Sequence, residues 1–179
     1  FFCSIVCFLG VSPPCYGQNQ IYIDSLQNCL NQANSDSAKV VWLRKLAWYY
    51  LSDNPTLAEP FIDQIQDIAE QNKDDFFLAV ANNYRGIHAR REARFADASG
   101  YFQNALRFYQ SDEKYELAST GPLYNLGIIH KNFGDFDKAL KTTLQTLQIQ
   151  KKHNRNRIVS ETYNSLANIY KDLKEHDRA

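Results

Sequence analysis

The sequence predicts an all-α fold built from repeated helix–turn–helix units, and three observations carry that prediction. A pair of small residues returns along the chain. Gly127 and Ala139 realign with Ala167 and Ala179 forty residues on, and with Gly86 and Ala98 forty-one residues back. Apolar residues within a copy fall three and four apart, as in Leu126, Ile129 and Phe133, which is the spacing of one helix face. The 179 residues hold only 7 Gly and 5 Pro against 11 Tyr, 11 Phe and 2 Trp, a composition suited to packed helices rather than disorder.

The chain opens on FFCSIVCFLGV, an apolar run of eleven residues. A bilayer span takes about 20, so the run reads as the apolar part of a secretory signal. Cys15 and Gly17 then supply small residues at positions minus three and minus one of a cleavage site. Residues 1–17 are therefore expected to be a signal peptide, leaving an exported chain that is periplasmic or membrane-associated outside the cytoplasm. A retained membrane anchor is the competing reading of the same run. Cleavage removes Cys3, Cys7 and Cys15, so Cys29 remains without a disulfide partner. It falls in the pattern Ile23, Leu26, Leu30, Ala33 and is expected to be a small buried hydrophobe on a helix near residues 20–34. Residues 18–38 form that helix and its connection.

Four copies of the repeat follow over residues 39–179, at 39–73, 76–112, 116–154 and 158–179, the last incomplete. Their small positions are Ala47 and Ala58, Gly86 and Ala98, Gly127 and Ala139, and Ala167 and Ala179. In the third copy the apolar face ends at Gly134-Asp135: glycine accepts the left-handed conformation that closes a helix, and aspartate caps the next one. Ala139, Leu140, Leu144 and Leu147 then continue an apolar face on the second helix. Two helices joined by so short a turn pack on each other, and Gly127 and Ala139 read as the notches where they cross. Glycine inside a helix costs roughly 0.5–1 kcal/mol relative to alanine, which close approach offsets. Pro60 falls where the second helix of the first copy belongs, so that helix is expected to be irregular or to start late.

The run Asn125-Leu126-Gly127, the turn Gly134-Asp135-Phe136 and the pair Ala139-Leu140 resemble the tetratricopeptide repeat. That resemblance implies a right-handed α-solenoid of about three and a half stacked helix pairs. The family's usual period is about 34 residues, and the longer period here is similar to that of exported or sensor-linked bacterial members. The family's aromatic three residues after the small position is present as Tyr50 and Tyr170 but replaced by Ala89 and His130. His130 is accordingly expected to be a hydrogen-bonded packing histidine. The aromatic of the second helix is present as Phe102 and replaced by Thr143.

Chemistry within the chain is not indicated. Lys+Arg and Asp+Glu are 20 each, so no basic surface of the kind that neutralises nucleic-acid phosphates is expected. The histidines His88, His130, His153 and His176 do not fall at metal-ligand spacing, and no phosphate-binding glycine loop, nucleophile elbow or zinc-protease motif occurs. A non-enzymatic chain without metal or cofactor is expected. The basic run HARREAR (88–94) reads first as a charged helix face with Glu92 as a local partner.

The resemblance further implies a concave groove lined by the first helices of successive repeats. Equivalent positions place Asn83, Tyr124 and Asn164 in one row, Ile87, Ile128 and Asn168 in a second, and Arg90, Lys131 and Lys171 in a basic third. Such a groove suits a protein or peptide partner that is extended or acidic, with asparagine amides bonding its backbone. The carboxylate clamp of chaperone-binding relatives does not fit: Arg44 is followed by Trp48 where asparagine is wanted, and Glu161 stands where lysine is. The expected function is a non-catalytic protein-interaction scaffold. The alternative is the extracytoplasmic input region of a membrane signalling protein (a histidine kinase, nucleotide cyclase or DNA-binding regulator) whose membrane anchor and effector lie outside residues 1–179. An uncovered apolar face at the incomplete last repeat is also expected, with either fraying of that end or self-association as its consequence.

Overall fold

The computed structural model describes residues 16–176, and among them every regular element is helical. The helices are α1 (Tyr16–Asn31), α2 (Asp36–Asp53), α3 (Glu59–Asn72), α4 (Asp75–Arg91), α5 (Phe95–Tyr109), α6 (Glu116–Asn132), α7 (Phe136–Lys152) and α8 (Asn156–His176). Residues 1–15 of the expected signal segment and Ala179 lie outside the described residues. Helix α1 begins at Tyr16, two residues ahead of the expected cleavage point.

Polar side chains start several of the helices. Ser35, Asp74 and Asp135 each accept a hydrogen bond from the backbone N–H three residues on, at Ala38, Phe77 and Lys138. Tight turns close α3, α4, α6 and α7, each passing through one left-handed residue: Lys73, Ala93, Gly134 and Asn154, with φ between 51° and 74°. The Gly134-Asp135 turn is thus as the sequence implied. Pro60 also behaves as expected, because a 3₁₀ turn over Pro55–Ala58 precedes α3, and Pro60 lies in that helix's first turn. Pro122 lies inside α6 and is fully buried. Around it, the Ser119 and Thr120 hydroxyls donate to the carbonyls of Glu116 (2.6 Å) and Leu117 (2.7 Å).

Each helix packs on the next in the chain, and alternate helices touch as well: α2 with α4, α4 with α6, α6 with α8. One contiguous core runs from Val40 on α2 to Ile149 on α7. The small residues sit at the crossings. Ala47, Ala58, Ala98 and Ala139 are wholly buried. A Cβ built on Gly86 would stand 2.6 Å from the Phe102 ring, and one on Gly127 would stand 2.6 Å from the Thr143 hydroxyl. Phe102 and Thr143 therefore fill equivalent notches, one with a ring and the other with a small hydroxyl. The Thr143 Oγ1 is buried there without a hydrogen-bond partner.

Polar contacts tie helices together both within and between pairs. Arg85 on α4 donates to Gln66 and Asp63 on α3, both at 2.7 Å. Lys152 at the end of α7 lies 2.8 Å from both Glu113 and Glu116, and His153 is 2.8 Å from Glu116. The Thr162 hydroxyl of α8 donates to Gln150 of α7 at 2.8 Å. At the other end α1 is held by Ile23 and Leu26 against Leu46 of α2, with Trp42 packed beside them. Trp48, on the same helix, is 55% exposed.

Several expectations of burial fail. Cys29 is half-exposed rather than buried, because Ile23 and Leu26 already occupy the contact with α2. Phe133 is 68% exposed: it caps α6 instead of continuing it, and its ring meets Phe95 edge-on at 5.7 Å. Leu144 is also exposed, on the solvent side of α7. His130 is half-buried, but its ring makes no hydrogen bond among the described residues. Ala167, the small position of α8, is exposed between Tyr163 and Tyr170, because among the described residues no helix follows to cover that face.

Candidate functional site

The nine residues expected to line a groove belong to α4, α6 and α8, which touch in sequence. Five of them meet in one place. A cleft of about 430 Å³ between α6 and α8 is lined by Tyr124, Ile128, Lys131, Asn164 and Asn168, together with Asn132, Glu161 and Ser165. Tyr124, Ile128 and Lys131 follow one another by four and three residues on α6, so a single stripe of that helix forms one wall. Asn164 and Asn168 give α8 a stripe of exposed amides four residues apart. Each amide offers both donors and an acceptor, the complement of a peptide backbone.

The remaining members extend the stripe or depart from it. Asn83 and Arg90 on α4 are half-buried, and each has a buried atom without a partner, Oδ1 in one and Nε in the other. Burial holds the Arg90 guanidinium below its ordinary pKa, and neighbouring Arg91 adds to the effect. Ile87 is 5% exposed and belongs to the hydrophobic core, so it offers nothing to a ligand. Lys171 is exposed on α8 and does not line the cleft.

The electrostatics differ from a uniform basic row. Lys131 Nζ lies 3.0 Å from Asp172 on α8, so the central cation of the row is neutralised by the next repeat. Glu161 brings a carboxylate to the same cleft and has no ion-pair partner among the described residues. Tyr124 stands between the opposing charges. Burial raises its phenol pKa, Glu161 raises it further, and Arg90 pulls the other way. Asp172 follows Lys171 directly in the sequence, yet its role shows only when α8 is packed against α6. A search for basic residues at equivalent positions passes over it.

Two other concavities are less suited to a ligand. One of about 460 Å³ between α4 and α5 is lined by Leu78, Ala79 and Phe108 with Asn82, Asn104, Asp75, Arg107 and Ser111, and none of the rows expected from the repeat reaches it. A smaller one, about 190 Å³, holds Arg85, His88, Arg94 and Tyr101. Its two arginines already face Asp63, Glu92 and Asp97. Among the described residues no group of His, Cys, Asp and Glu is arranged to hold a metal ion. No described helix is long and apolar enough to cross a membrane.

The chain matches no protein-family model, and no curated protein matches it.

Proposed function

We propose that the chain is a non-catalytic interaction scaffold of the tetratricopeptide type, its helix pairs stacked as a right-handed solenoid, that binds an extended peptide segment across α4, α6 and α8. The cleft between α6 and α8 carries this reading, because five residues placed in rows by the repeat meet there around a space of about 430 Å³. Two features support it further. The small residues of the first three copies are all buried, as close packing of the two helices of a unit requires. The polar groups along the face include three asparagine amides and the Tyr124 phenol beside Lys131, Glu161 and Ser165, a mixture that suits recognition of a peptide backbone and its side chains.

Ile128→Arg places a long charged side chain in the cleft from a half-buried position. Peptides selected from a displayed random library on the wild-type chain are expected to lose at least about tenfold in affinity, roughly 1.4 kcal/mol, for this variant. Its circular dichroism is expected to stay that of the wild type. Selected peptides that bind the folded variant with unchanged affinity would place the binding surface elsewhere.

A further inference from the structure

Two charged groups on this face lack partners, and they are of opposite sign. Arg90 on α4 is half-buried with an orphaned Nε and no ion pair among the described residues. Glu161 on α8 is exposed in the cleft and likewise unpaired among the described residues. The cation between their rows, Lys131, is already held by Asp172. Arg44, Arg91 and Arg107 also lack a carboxylate partner among the described residues, but they are exposed, whereas Arg90 is partly buried with an orphaned Nε. A partly desolvated guanidinium without a counter-charge is costly to keep, so its complement is a group supplied from outside.

We infer that the face is bipolar and takes an extended peptide carrying an acidic side chain at Arg90 and a basic side chain at Glu161. The inference rests on the proposed peptide-binding role of the same face. Helices α4 and α8 are separated by α6, and packed helix axes lie about 8–10 Å apart, so α4 and α8 are roughly 16–20 Å apart. An extended chain rises about 3.3 Å per residue and crosses that span in five to six residues. Between the two charges the peptide passes Tyr124, whose phenol feels both of them. The two contacts differ in effect. The Arg90 pair is partly shielded from water and supplies affinity, whereas the exposed Glu161 pair sets orientation and selectivity.

The test uses the full chain and a displayed ten-residue library, degenerate except for one fixed Asp and one fixed Lys. Both orders are represented, at every separation from about three to nine residues, a range that brackets the expected span. Selection on the wild type is expected to enrich one order, at separations near six, by at least about tenfold over the other. The double variant R90E/E161R, checked for native helicity by circular dichroism, is expected to enrich the opposite order. Equal enrichment of both orders, or the same order on wild type and variant, overturns the bipolar inference. If the enriched peptides in that case still lose affinity for Ile128→Arg, the groove reading stands without it. No enrichment of any peptide overturns both.

Discussion

At the scale of single residues, two glycines are the clearest link between sequence and packing, and they do not behave alike. The ring in the Gly86 notch belongs to Phe102, which is wholly buried and cannot move aside, with three ring atoms 2.6–2.9 Å from a built Cβ. The nearest atom in the Gly127 notch is the Thr143 hydroxyl, a smaller group than the ring and one that makes no hydrogen bond, with the Thr142 hydroxyl 3.1 Å away. Gly86→Ala is therefore expected to destabilise by about 1–3 kcal/mol through overpacking. Gly127→Ala is expected to stay within about 1 kcal/mol of wild type, because the helix propensity gained by alanine offsets the adjustment. Urea denaturation of the two variants orders them, and a larger loss for Gly127→Ala would refute this account of the notches. The small residues were legible in the sequence because their spacing repeats. What fills each notch was legible only as a departure, Thr143 where Phe102 set the pattern. The Lys131–Asp172 pair was not legible, since it joins residues 41 apart on helices whose relative rotation the sequence does not state.

At the scale of elements, the turns show where reading by residue type stops. Four helix ends pass through a left-handed residue, and only Gly134 is a glycine. The other three announce nothing, because lysine, alanine and asparagine enter that region under the constraint of two packed helices. Ala93 is the most strained choice, having neither a side-chain hydrogen bond to offer nor any burial. Ala93→Gly is expected to stabilise the chain, and Gly134→Ala to destabilise it, each by about 1 kcal/mol. Thermal and denaturant melts of the two variants should move in opposite directions, and a destabilised Ala93→Gly would refute the argument. The apolar periodicity of α6 and α7 was read correctly through most of each helix. It failed at Phe133 and Leu144 because a three-and-four spacing marks a face without saying how wide the covered part is.

At the scale of the whole molecule, carboxylates hold helix starts and contacts within helix pairs together, and this gives stability a defined pH dependence. Asp36 is held below its ordinary pKa of 3.8 by Asn72 and then Lys39, and Asp135 by Lys138. Asp112 is lowered by the Lys114 backbone N–H and then its side chain, and Glu116 falls below 4.5 through Lys152 and then His153. A carboxylate with a depressed folded pKa stabilises the fold above its unfolded value and loses that contribution as the pH falls through the folded one. The melting temperature is accordingly expected to hold from neutrality down to about pH 5 and to decline between there and about pH 3. A melting temperature that stays level over that lower range would show that these contacts contribute nothing. Two of them join the two helices of one pair, Asp36 on α2 to Asn72 on α3 and Glu116 on α6 to Lys152 on α7, so acid is expected to loosen the pairs themselves as well as the caps.

Both tryptophans of the chain, Trp42 and Trp48, stand on α2. One is half-buried with the Lys45 ammonium 4.1 Å from its ring, and the other is largely open to water. Tryptophan fluorescence, excited selectively over the 11 tyrosines, is therefore a reporter for one end of the molecule alone, while far-ultraviolet circular dichroism counts every helix. If neighbouring pairs release one another stepwise from an end, the two signals part company during denaturation. The protein thus carries, without labelling, a built-in gauge of whether its repeats unravel together or in turn.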